Sequence, residues 1–192
     1  MTDAPARRTL GQMMTAEEAE SVARRLLADE LPRRWAHTQG VAARARELAP
    51  ILGDRSGLIE AAAFLHDIGY SSAVCSTGFH PLDGARYLHD VLGADLVLCQ
   101  LVAHHTGALI EADERGIDKL AAEFPLPDQF LLEALTYCDL TAAVDGCQVD
   151  VEDRLNEILT RYPRGHVVHR SIVRSGPALR SAVQNVQRRL CA

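Results

Sequence analysis

The sequence predicts an all-α, single-domain helical bundle, and three observations carry that prediction. It contains no useful stretch of apolar–polar alternation and no Asn-Gly hairpin signal, so strands have little to form from. Ala, Leu, Arg and Glu dominate, residues that give up little freedom in a helix. Cap and breaker residues then punctuate the chain at helical lengths.

Each element has a local reason. Thr15 and Glu18 form a capping box ahead of Val22, Leu26 and Leu27, predicting a helix to about residue 29. Pro32 suits the first turn of a second helix, 32–50. Ser56 caps a third, from Leu58 to Asp67, which Gly69 stops. His80-Pro81 opens a fourth, to about Leu92, and Ala94 to His105 makes a fifth. A short piece falls near 110–121. Asp128 begins a long helix through Val144, followed by one over 151–160. The tail is helical from about 166, broken at Gly176-Pro177, with Leu179, Val183, Val186 and Leu190 on one face.

The division expected is a loose N-terminus over 1–14, a helical domain over 15–160 and a basic helical extension over 161–192. A chain of 192 residues is one domain by length and needs no disulfide or metal merely to fold. The extension carries seven Arg and no acid. Before it stand thirteen basic residues against 26 acidic ones, a balance of −13. An acidic body argues against nucleic acid as a partner. It also gives the extension a surface to lie on, its own or that of a second copy in a homodimer. No apolar run reaches the ~18 residues of a membrane span. Five Cys without a CxxC pair suit a reducing compartment, so the expected location is cytoplasmic.

The histidines give the functional lead. His37 shares a helix face with Val41, Ala45 and Leu48, and His66 follows Leu58 and Ala62 at the same spacing. Asp67 adjoins His66 where Gly69 unwinds the turn, which lets both point to one place. Asp139 lies inward of Leu132 and Leu135, where a carboxylate is costly unless it is paired or holds a metal. His80 stands at a helix start, and His104 and His105 end the almost wholly apolar helix DLVLCQLVAHH. His89, His166 and His169 read as surface residues. Imidazoles and carboxylates brought in from separate helices are how bundles build metal sites. Without Cys, this donor set suits Fe, Mn, Co, Ni or Zn.

The segments RRWAHTQGVAARARELA, AAAFLHDIGY, FHPLDGARYL, LVAHHTG and LLEALTYCDLTAA occur in this order over about residues 33–145. Together they resemble the HD-domain superfamily of metal-dependent phosphohydrolases, with HDIG at 66–69 the most specific element. The resemblance implies an α-helical core holding one divalent metal through His37, His66, Asp67 and Asp139. Relatives with HP and HH segments often hold a second ion across the HD aspartate, which here brings in His80 and His104, with His105 a further candidate. The GYP element of the cyclic-dinucleotide branch is missing. The acidic pair of the alarmone branch is missing as well, Ser71-Ser72-Ala73 standing in its place.

The function so implied is hydrolysis of a phosphoester or phosphoanhydride of a nucleotide or small phosphorylated metabolite. Asp67 would act as ligand and water orienter, and Arg34, one turn before His37, as a phosphate contact. With a single metal, His80 and His104 would serve as hydrogen-bond donors or a general acid. The alternatives are a di-iron oxygenase of the same superfamily, or a non-catalytic metal- or nucleotide-binding module. Segments 70–79 and 106–127 are expected to line the substrate pocket, with Tyr70, Phe79 and Phe124 candidates for stacking on a base.

Overall fold

The structure is a computed structural model that describes residues 13–192. The expected loose N-terminus, 1–14, lies outside the described residues except for its last two, of which Met14 is buried.

The elements are α1 (Ala16–Leu27), α2 (Pro32–Glu47), α3 (Ala49–Leu52), α4 (Ser56–Leu65), α5 (His80–Arg86), α6 (Leu96–His104), α7 (Ala108–Glu114), α8 (Leu120–Glu123), α9 (Gln129–Leu140), α10 (Val151–Arg161) and α11 (Val167–Leu190). Among the described residues no strand forms, only an isolated bridge between Ala142 and Gln148, so the all-α expectation holds.

The capping box of α1 is present in both directions, Thr15 accepting from Glu18 N and Glu18 accepting from Thr15 N. Asp95, Asp128 and Asp150 each accept a backbone N–H at the start of α6, α9 and α10. Asp95 therefore moves the start of α6 from the expected Ala94 to Leu96. Gly116 takes a left-handed φ of 71°, which splits the expected 110–121 piece into α7 and α8. The helix from Asp128 ends at Leu140 rather than Val144, because the chain turns back at Gly146 to pair Ala142 with Gln148.

The tail departs most from expectation. Gly176-Pro177 does not break it, and α11 runs unbroken over 24 residues. Pro177 cannot donate to the carbonyl of Val173, one turn earlier. Val173 is 58% exposed, so water can take up the freed carbonyl. Gly176 has no Cβ to crowd the proline ring. Ile172, Leu179, Val183 and Val186 meanwhile hold the buried stripe on both sides of the pair.

α4 is the centre of the bundle, with α1, α2, α6 and α9 packed around it. Its Ala61, Ala62 and Ala63 are fully buried, and such short side chains allow helices to approach on several sides. α5 pairs with α6, and α11 lies across α7, α9 and α10. Charge reinforces that last docking. Arg170 and Arg174 meet Glu114 on α7, Arg180 meets Glu152 on α10, and Arg189 covers the Phe130 ring on α9.

Candidate functional site

Two close groups of donor atoms form where α2, the C-terminal ends of α4, α6 and α9, and the start of α5 come together. His37, His66 and Asp139 make one, and Asp67, His80 and His105 the other. Within each group the candidate ligand atoms lie within 4.8 Å of one another. Asp67 faces both. Its Oδ2 lies 3.2 Å from His66 Nε2 and 4.0 Å from His37 Nε2, while its Oδ1 lies 3.4 Å from His80 Nε2. One carboxylate thus offers an oxygen to each group.

The local backbone explains how. α4 ends after Leu65, and the chain tightens into a turn at Ile68–Tyr70. This rotates Asp67 away from a regular helical direction and toward His66. Gly69 is required there, since a Cβ would lie 2.0 Å from the carbonyl oxygen of His80. The close approach brings α5, and with it His80, against the HD turn.

Three imidazoles are oriented by backbone carbonyls. His37 Nδ1 donates to Ala143 O at 3.1 Å, His66 Nδ1 to Ala63 O at 2.7 Å, and His105 Nδ1 to Val102 O at 2.7 Å. A carbonyl only accepts, so each Nδ1 bears the hydrogen and each Nε2 is turned toward the cluster. His66 Nε2 is buried with no hydrogen-bond partner, and His80 and His105 face each other Nε2 to Nε2 at 3.2 Å. The His66 Nε2 left without a hydrogen-bond partner in a dry interior is costly unless a cation meets it. A fixed Nδ1–H with a free Nε2 is also the usual state of a metal-ligating histidine. The residues therefore fit a divalent metal in each group, and with N and O donors alone they suit Fe, Mn, Co, Ni or Zn.

The electrostatics agree for the carboxylates, His80 and His105, whereas His66, against its burial, is raised by Asp67 and Asp139, an attraction for positive charge at that position. Burial pushes the Asp67 carboxyl up, but Arg34 and His66 outweigh it and hold the group well below the usual carboxylate range. Asp139 is likewise held low against its burial, by the hydrogen bond from His37 and the nearby His66. Burial keeps His80 and His105 below the ordinary imidazole range, favouring the neutral form that can act as a ligand.

His104 is not brought to the cluster. Its Nε2 donates to Phe124 O at 2.6 Å, on the other side of the helix end, whereas His105 faces inward. The helix unwinds at this point. Thr106 adopts φ 45°, ψ 47°, a left-handed conformation uncommon outside glycine, and its hydroxyl donates to Asp139 Oδ2. The histidines themselves diverge where the helix ends, His104 leaving helical geometry at φ −113°, ψ 1° and His105 turning extended at ψ 148°.

A cavity of about 90 Å³ opens onto the second donor group, its walls including Arg34, Asp67, His80, His105, Asp139 and Thr106. Arg34 bonds Asp67 Oδ2 at 2.7 Å and lies over the Tyr70 ring. Phe79 and Phe124 are buried in the core, so of the three aromatic candidates only Tyr70 reaches this cavity. Thr106, in an expected lining segment, does line it, though its bond to Asp139 was not foreseen. The residues missed from sequence are those of the far wall, Arg154, Ile158 and Arg161 of α10, Tyr162 just after it, and Val168 and Ile172 of α11. Arg154 carried a readable signal, an arginine sharing the helix face of Val151, Leu155 and Ile158.

No curated protein and no solved structure matches the chain. The family model of the HD domain matches residues 34–138, more than half the chain, an interval spanning α2 through most of α9 and five of the six clustered donors. The sixth, Asp139, is the next residue. With that match and the paired donor groups, the chain belongs to the HD-domain family, a superfamily of metal-dependent phosphohydrolases.

Proposed function

We propose that the protein is a metal-dependent phosphohydrolase that cleaves a phosphoester or phosphoanhydride of a nucleotide or small phosphorylated metabolite. The observation that carries this reading is Asp67, whose two oxygens face two separate donor groups on the floor of a cavity walled by arginines. His37, His66 and Asp139 would hold one ion and Asp67, His80 and His105 the other. When bound, divalent metals supply Lewis acidity, which activates water and neutralises phosphoryl charge.

The chain's own residues then have distinct tasks. Arg34, held by Asp67 and the Tyr70 ring, and Arg154, held by Glu157, present guanidinium groups to phosphoryl oxygens. Asp67 orients the attacking water between the groups. The Thr106 hydroxyl fixes Asp139 in place. Ile158, Val168 and Ile172 add apolar surface between the arginines of the opposite wall. His104 has no place in this chemistry, because it lies outside the cavity.

The test is a panel of nucleotides and phosphoesters assayed with Mn, Fe, Co, Ni and Zn. Turnover in at least one combination, lost in Asp67→Asn, supports the reading. A metal-loaded protein inert on the whole panel, or an Asp67→Asn variant of unchanged activity, refutes it.

A further inference from the structure

Beside the donor-lined cavity lies a second one of about 240 Å³, walled by Arg33, Arg34, His37, Val144, Arg154 and Arg161. Four guanidinium groups and no carboxylate face it. It shares Arg34, Arg154 and Arg161 with the first cavity, so the two are neighbouring lobes of one site. In a chain whose residues before Arg161 sum to −13, such a convergence of positive charge needs a reason.

The nearby acids do not balance it. Glu157 is shared between Arg154 and Arg161, and Asp145, which acts on Arg33, already accepts from Cys147 N. Asp67 meets Arg34 but also faces both donor groups. Arg154 is only 5% exposed and its Nε has no hydrogen-bond partner, while its Nη2 stands 4.0 Å from Asp139, too far for a hydrogen bond. A buried guanidinium with unused donors is costly unless an anion completes it. Planar forks of this kind match phosphoryl oxygens two at a time.

We infer that the arginine lobe holds a second phosphoryl group, so that the substrate is a phosphoanhydride with adjacent phosphoryl groups in adjacent lobes. This rests on the phosphohydrolase reading and narrows its substrate class. In the reaction, a water oxygen bonds the phosphorus held over the donor groups. The bridging P–O bond breaks, and its electron pair leaves with the phosphoryl group in the arginine lobe. The protons of the water pass to the two phosphate products and solvent. The arginines therefore stabilise the charge that develops on the leaving group. Arg154 and Arg161 belong to α10, beyond the segment that the family model matches, so two of the four arginines are supplied by the chain's C-terminal third and two by α2.

Arg33 gives a selective test because it is exposed and lines only the second lobe. Binding of methylphosphonate and of methylenediphosphonate, neither of which is hydrolysed, is measured by titration calorimetry on the metal-loaded protein and on Arg33→Gln. The diphosphonate should bind the wild type at least about tenfold more tightly. The substitution should weaken it about tenfold while changing methylphosphonate less than about twofold, as expected for loss of one charge-assisted contact. Equal effects on both ligands, no effect on the diphosphonate, or binding of neither ligand overturns the inference. Because binding is read without turnover, diphosphonate selectivity in a protein that hydrolyses nothing would sink the phosphohydrolase reading alone. Monoester turnover with Arg33 silent would sink the second phosphoryl site alone.

Discussion

Gly69→Ala should disable the metal site without touching a ligand. The added Cβ would lie 2.0 Å from His80 O and 2.8 Å from both His80 C and Cα, all backbone atoms that no rotamer change can move. Reaching the 3.4 Å at which ordinary contact begins requires a shift of about 1.4 Å between the HD turn and the start of α5. Asp67 and His80 sit on opposite sides of that contact, 3.4 Å apart at Oδ1 and Nε2. Metal–ligand distances tolerate only about 0.2 Å, so the pair cannot keep its geometry. Metal affinity should fall at least about tenfold, as when groups that orient ligands are altered. The overpacking itself should cost about 2 kcal/mol, a drop of about 6 °C in Tm for a domain of this size. Gly57→Ala is the internal control. It is an exposed helical glycine whose Cβ would meet nothing within 4 Å, so that change should stabilise by about 0.5–1 kcal/mol. Calorimetry with metal analysis after dialysis reads both quantities. A Gly69→Ala protein with wild-type Tm and metal content would refute the reasoning.

The adjacent histidines should separate cleanly. His105→Ala should lower metal affinity at least about tenfold, whereas His104→Ala should keep the metal and lose about 1–3 kcal/mol through the stranded Phe124 carbonyl; equal metal loss in both would contradict the placement. Cys75, Cys147 and Cys191 are exposed, while burial pushes Cys99 up to about 12 and raises Cys138 as well. A thiol-reactive chromophore should therefore titrate three groups in the native protein and five in denaturant, and five fast groups in the native state would refute the burial. Arg174 and Arg170 hold Glu114 below its ordinary value of 4.5, so its stabilising effect is complete above that value and fades as pH falls through the depressed one. Glu114→Gln should accordingly lower Tm at pH 7 and match wild type in strong acid; a difference independent of pH would show that charge is not what ties α11 to α7.

How far the site can be read from sequence depends on where each residue sits in its helix. His37, His66 and Asp139 were legible because each lies on the apolar stripe of its own helix, where spacing alone indicates the inward direction. His104 and His105 were not separable in this way. At that helix end the side-chain directions follow from His104 and His105 themselves leaving helical geometry, and nothing in the composition of HHTG announces where the helix stops. Gly176-Pro177 failed for a related reason. Two breakers interrupt a helix only if the freed carbonyl has nowhere to go, and whether Val173 faces water is a property of docking rather than of the pair. The arginine wall is the instructive case, because its first residue was within reach. Arg154 lies on the stripe of Val151, Leu155 and Ile158, which is the same anomaly, a polar residue on an apolar face, that singled out His37. Its meaning differs only in sign. A buried imidazole or carboxylate calls for a cation and a buried guanidinium calls for an anion, so the rule that located the candidate metal donors also locates one of the groups proposed to meet the substrate.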